Sequence, residues 1–177
     1  HLLLARGFDV KVSEVHGMSQ RGGSVVTYVR YGDKVCSPII DKGEADLIVF
    51  VGGLNKNRFQ DCEDGDRQSY DLPFGQNELL SELLAVNPRV VLVLVSGNAV
   101  RIPNPQRIPA IVQSWYVGSE LGPTVTDVLS GEVNPSGKLP FSFPVKLEDC
   151  GAHAFGEIGY PGDGVKVEYR EDILVGY

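Results

Sequence analysis

The stretch EADLIVFVGGLN, Glu44 to Asn55, decides how this chain is read. Leu47 to Val51 is an unbroken apolar run of aliphatic and aromatic residues. No polar residue alternates through it, so the strand it predicts is buried on both faces. Gly52-Gly53 then breaks the run as a turn. A strand buried on both faces needs a packed layer above and below its sheet, which points to an α/β architecture.

The residues that follow keep the same rhythm. QNELLSELLAVN (76–87) sets Leu79, Leu80, Leu83 and Leu84 on one helical face, and Asn87-Pro88 ends the helix. RVVLVLVSG (89–97) is a second continuous strand, and AIVQSWY (110–116) a third. ELGPTVTDVLSG (120–131) predicts a helix with Pro123 in its first turn. Its apolar face is Leu121, Val125, Val128 and Leu129, and Gly131 is its C-terminal stop. Trp115 ends an apolar strand and is expected in the core rather than as a platform for a sugar. From Pro140 the chain is Gly- and Pro-rich and is expected to run extended over the surface. The prediction is a three-layer α/β sandwich with a mostly parallel, incomplete sheet and a β-rich N-terminal segment.

That segment reads differently. LLLARGFDVKVSEV (2–15) is the tail of an apolar helix, a stop at Gly7 and a strand. HGMSQRGGS is a polar loop. VVTYVRYG and KVCSPII are strands flanking a hairpin turn at Gly32-Asp33. Two segments, 1–44 and 45–177, are therefore expected.

With 177 residues and a net charge of −7, the chain can bury a core. It lacks the basic surface that nucleic acid or an anionic membrane would need. The longest apolar run, Val90 to Val95, falls far short of the ~20 residues that span a bilayer. Cys36, Cys62 and Cys150 are an odd, scattered set and are expected as free thiols. Cys150 and His153 form a lone pair with no second pair to complete a zinc site, so no metal is expected. His16 and His153 have no evident partners.

The loop NRFQDCEDGDRQSYDLP carries Asp61, Glu63, Asp64, Asp66 and Asp71 with Arg58 and Arg67, just beyond a strand's C-terminal end. Open α/β sheets place ligand sites there. Three readings stay open from the residues alone: a ligand site, a solvated acidic loop and a calcium loop. The last is opposed by Gly65 standing where an EF-hand needs a ligand. No G-x-G-x-x-G, P-loop Lys or G-x-S-x-G is present to suggest phosphate binding or a serine hydrolase.

Residues from about 45 to 177 resemble the C-terminal α/β sandwich domain of glycoside hydrolase family 3, of β-glucosidase type. The resemblance is carried by ADLIVFVGGLN, CEDGDRQSYDLPFGQNELL, VVLVLVSGNAV, IPAIVQSWYVGSELG, VLSGEVNPSGKLPFSFP and YREDILVGY. RIPNPQRIPA and LGPTVTD depart from the family's usual segments. The resemblance implies a retaining mechanism, with a nucleophilic Asp on an N-terminal (β/α) barrel and an acid/base Glu on a loop of the sandwich. Glu63 matches that acid/base by its place ahead of Asp66-Arg67, with Asp64 as the alternative one register away. Asp66 and Arg67 are carried over as substrate-binding. A general acid working near neutral pH needs a raised pKa; the neighbouring carboxylates favour this, and Arg67 opposes it unless paired with Asp66. The implied substrate is a β-linked glucoside or oligosaccharide, the implied partner the barrel, and no cofactor is called for.

Residues 1 to about 48 resemble instead the gamma-type domain of 2-oxoacid:ferredoxin oxidoreductases, closest to the indolepyruvate oxidoreductase beta subunit, through EVHGMSQRGGSV and GEAD. That family's thiamine diphosphate and iron–sulfur clusters belong to other domains. The two resemblances imply a chimeric junction inside ADLIVF. They also imply different compartments, periplasmic or secreted for the hydrolase and cytoplasmic for the oxidoreductase.

Overall fold

The computed structural model describes residues 10–14 and 25–29 by their strand pairing, and residues 46–56 and 58–176 in full. Five parallel strands form one sheet in the order β1-β2-β3-β4-β5: β1 (Val10–Glu14), β2 (Val25–Val29), β3 (Leu47–Gly53), β4 (Val90–Val95) and β5 (Ala110–Gln113). β2 pairs with β3 from Val25↔Leu47 to Val29↔Val51, so the sheet runs without a break across residue 45. The expected N-terminal helix, the hairpin at Gly32-Asp33, the strand KVCSPII, His16 and Cys36 lie outside the described residues.

The double-sided burial expected of β3 is present, and it defines three layers. Ile48 and Phe50 point to one face and join Leu79, Leu80, Leu83 and Leu84 of helix α1 (Gln76–Val86), with Val90, Leu92 and Leu94 of β4. Leu47, Val49 and Val51 point to the other face. There they meet Val91, Val93 and Val112, with Val125 and Leu129 of helix α2 (Leu121–Ser130) as cover. Leu80, Leu83, Leu92 and Leu94 are fully buried, and α1 owes its place to this face because it has no side-chain cap. The predicted α2 face is only partly sealed: Thr126 is its one buried residue, and its hydroxyl donates to the Gly122 carbonyl at 2.8 Å. Gly131 ends α2 in the left-handed conformation, as expected. No helix among the described residues is long and apolar enough to cross a membrane.

Three expectations are corrected. Gly52-Gly53 is not a turn but the end of β3, paired with Leu94 and Val95 of β4. The third strand stops at Gln113 rather than Tyr116, because Trp115 adopts a positive φ of 56° and turns the chain out of the sheet. Trp115 is therefore half-buried; its ring meets Phe141 edge-on at 5.6 Å between centroids, and it lines a side cavity of ≈ 500 Å³ with Leu139 and Phe143. The C-terminal tail is not merely draped over the surface. It forms the short helix α3 (Gly151–Ala154) and returns so that Ser142 N–H donates to Gly176 O at 2.9 Å.

One close approach positions everything beyond β3. A Cβ on Gly53 would fall onto the carbonyl oxygen of Val95, and Gly53 has a φ of 150°. The buried Gln76 amide bonds the two peptide groups that flank the Gly53 Cα: Gly53 N–H donates to its Oε1 at 2.7 Å and its Nε2 donates to Gly53 O at 2.9 Å. A side chain there must push β3 from β4, so Gly53→Ala is expected to destabilise the chain by at least about 2 kcal/mol. A urea midpoint unchanged from wild type would refute the packing described.

Asp71 and Arg101 form a two-pronged ion pair between the loop and the β4–β5 connection, with Arg101 Nη2 donating to Asp71 Oδ2 at 2.9 Å. The hydrogen bond from Arg101, opposed by partial burial and aided by its charge and by Asn77, holds the Asp71 carboxyl below the usual carboxylate range. A depressed native pKa gives stability that is present above the unfolded value of ~3.9 and lost as pH falls through the native one. Both side chains are over two-fifths exposed (46% and 41%), so Asp71→Asn should cost under about 1 kcal/mol at pH 7. The deficit should shrink in urea titrations below about pH 4; a deficit constant down to pH 2 would contradict the pairing.

Candidate active site

The loop from Asn55 to Asp71 leaves the C-terminal end of β3 and forms one wall of a cleft of ≈ 900 Å³. Asp61, Glu63, Asp66 and Arg67 line it, opposite Gly97 and Asn98 beyond β4 and Tyr116 beyond β5. The tail closes the remaining side with Leu147, His153 and Tyr160. This is the carboxyl end of the parallel strands, where open α/β sheets place their ligand sites.

All three sequence-assigned residues reach this cleft. Glu63 is exposed, and its carboxylate makes no hydrogen bond or ion pair with a described residue. Asp66 is exposed and accepts from the Tyr160 hydroxyl at 3.5 Å. Arg67 is half-buried; its Nη2 donates to Ala99 O at 2.7 Å, and its Nη1 is buried without a partner. Arg67 does not pair with Asp66; the backbone carbonyl of Ala99 takes the guanidinium instead. Asp64, the neighbouring alternative to Glu63, is exposed, has a φ of 64° and is not among the cleft residues. Phe59, in the same loop, also has a positive φ, 66°. Such backbone costs of order 1–3 kcal/mol per residue and gathers at functional sites.

Asp61 holds the wall in place. Its Oδ2 accepts from Gly97 N–H and from the Tyr116 hydroxyl, both at 2.6 Å, and its Oδ1 accepts from Asn98 Nδ2 at 3.3 Å. Burial, then the bond to Asp61, pushes the Tyr116 phenol far above its ordinary range, so it stays a donor. Tyr70, at the cleft's far side, donates to Pro144 O at 2.9 Å and is pushed up to about 12, chiefly by burial.

Sequence reasoning missed Asp61's bonds, Tyr116, and the tail's His153 and Tyr160, whose rings lie 5.0 Å apart. Tyr116 had a signal, since it follows a strand at the same sheet end as the acidic loop. The tail residues had none, because their approach depends on the return of the chain. Among the described residues no group of three or more His, Cys, Asp or Glu could hold a metal ion, and Cys62 and Cys150 are free thiols.

Comparison with known proteins agrees with this geometry. The chain is 64% identical over 146 residues to the β-glucosidase BoGH3A of Bacteroides ovatus, a match covering 82% of this chain and 20% of the relative. Among solved structures it resembles the β-glucosidase of Kluyveromyces marxianus in complex with glucose, with a TM-score of 0.63, 42% identity, and coverage of 75% of this chain and 15% of that one. DesR, a β-glucosidase of Streptomyces venezuelae in complex with D-glucose, gives a TM-score of 0.68 at 32% identity, covering 76% and 16%. The chain thus spans about a fifth or less of these relatives. The family model for the glycosyl hydrolase family 3 C-terminal domain matches residues 16–177, and the chain belongs to that family.

Proposed function

We propose that this chain supplies the acid/base carboxyl group of a retaining β-glucosidase-type glycoside hydrolase, and that Glu63 is that group. The observation that carries the reading is the placement of Glu63 in the cleft with Asp66 and Arg67, while Asp64 stays outside it. The relatives' names support a β-linked glucoside or oligosaccharide as substrate. A periplasmic or secreted location goes with this reading, on the strength of the family resemblance.

Retaining hydrolysis needs two carboxyl groups ~5–5.5 Å apart across the scissile bond. Glu63 would give its proton to the leaving oxygen as a nucleophilic Asp on the barrel attacks the anomeric carbon. Glu63, now a carboxylate, would then take a proton from the water that releases the sugar. The exposure of Glu63 fits a cleft that a second domain closes. Asp66 and Arg67 would bind sugar hydroxyls from the cleft wall.

For residues 1–44, a separate origin is a second reading, supported by the string EVHGMSQRGGSV and its resemblance to the oxidoreductase domain. The family match beginning at residue 16 and the pairing of β2 with β3 favour one continuous domain instead.

The chain alone should show no turnover of an aryl β-glucoside, because it holds one of the two carboxyl groups. In the full-length enzyme, Glu63→Gln should lower kcat/KM for cellobiose by roughly 10²–10⁴-fold. Turnover by the chain alone that vanishes in Glu63→Gln would overturn the need for the barrel. An unchanged kcat/KM in the full-length variant would overturn the assignment.

A further inference from the structure

Asp61 has no part in the proton transfers above, yet its carboxylate accepts three hydrogen bonds from residues beyond two different strands. Gly97 and Asn98 follow β4, and Tyr116 follows β5. Its own N–H donates to Asn55 O at 2.9 Å, closing the loop's base. The space beside Gly97 is tight: a Cβ there would lie 3.0 Å from the Tyr116 ring and 3.3 Å from Asp61 Oδ2, so these side chains would have to shift by a few tenths of an ångström. Bonds to an ionised acceptor are roughly twice as strong as neutral ones. Asp61 thus pins the acidic loop to the sheet two residues before Glu63.

Among the described residues nothing tethers Glu63 itself. Its place is set by the chain on either side: Asp61 upstream, the Cys62 thiol toward Gly65 O at 3.7 Å, and Arg67 on Ala99 O downstream. We propose that Asp61 is a positioning residue which, through Tyr116 and the Gly97 backbone, fixes where the Glu63 carboxyl stands against the glycosidic oxygen. The proposal rests on Glu63 being the proton donor. Misplacing a reacting group by about 1 Å can cost ~10²-fold in rate, so loss of the pin should weaken proton donation specifically.

Leaving-group dependence reads that step. 2,4-Dinitrophenolate departs without a proton, whereas the glucose released from cellobiose leaves only with one. In the full-length enzyme, Glu63→Gln sets the pattern: a large loss of kcat/KM for cellobiose and a small one for 2,4-dinitrophenyl β-glucoside. Asp61→Asn should reproduce it with roughly 10²-fold against less than about 3-fold. Tyr116→Phe, which keeps the Asp61 charge and removes a single bond, should show the same asymmetry at roughly 10-fold. Alkylation of Cys62, read peptide by peptide in the folded protein, should be faster in both variants. If Asp61→Asn fails to fold, Tyr116→Phe decides alone. Equal losses on the two substrates, or none, overturn the positioning role while Glu63 keeps its own. If Glu63→Gln shows no asymmetry, its assignment fails and this proposal fails with it.

Discussion

The approach of Gly53 to the Val95 carbonyl is the constraint on which the rest of the molecule depends. It brings the ends of β3 and β4 together more closely than any residue with a side chain would allow. The Gln76 amide completes the joint by bonding both the N–H and the C=O of Gly53, so the start of α1 is fixed to the same point. From there the acidic loop departs on one side and Ser96 to Asn98 on the other. Their ends begin close enough for Asp61 to bridge them. The cleft wall is thus a consequence of how two strands finish.

The cleft combines a hydrogen-bonded frame with a carboxylate, that of Glu63, which no described residue holds. Asp61, Arg67, Tyr70 and Asp71 each bond across from the loop to another part of the chain. Glu63 and Asp66 occupy the stretch between the outer two of the nearest bonds, those of Asp61 and Arg67. A general acid must be held precisely enough to meet one oxygen, yet it cannot be locked into an ion pair that keeps it ionised. Taking the Arg67 guanidinium onto the Ala99 carbonyl, away from Asp66 and Glu63, satisfies both demands.

Much of the fold was legible in the sequence. The unbroken apolar runs at 47–51 and 90–95 and the leucine spacing at 79–84 are direct consequences of burial from both sides, and the three-layer core follows them. Trp115 was misread because an apolar run predicts a strand's existence better than its end; a positive φ in a bulky residue leaves no trace in composition. The site was half legible. Position beyond a strand end marked the acidic loop, and the family's CEDGDR pattern singled out Glu63, Asp66 and Arg67. Neither could assign Asp61, since its role lies in contacts with residues 36 to 55 positions away. His153 and Tyr160 were illegible for the same reason, arriving from a tail whose composition resembles a surface linker.

The central claim is that Glu63, and not the adjacent Asp64, donates the proton. The most direct measurement is kcat/KM against pH for the full-length enzyme, with wild type, Glu63→Gln and Asp64→Asn side by side. The alkaline limb of such a profile reports the group that must be protonated in the free enzyme. The account predicts that this limb is lost in Glu63→Gln and retained in Asp64→Asn. Retention in Glu63→Gln with loss in Asp64→Asn would contradict it.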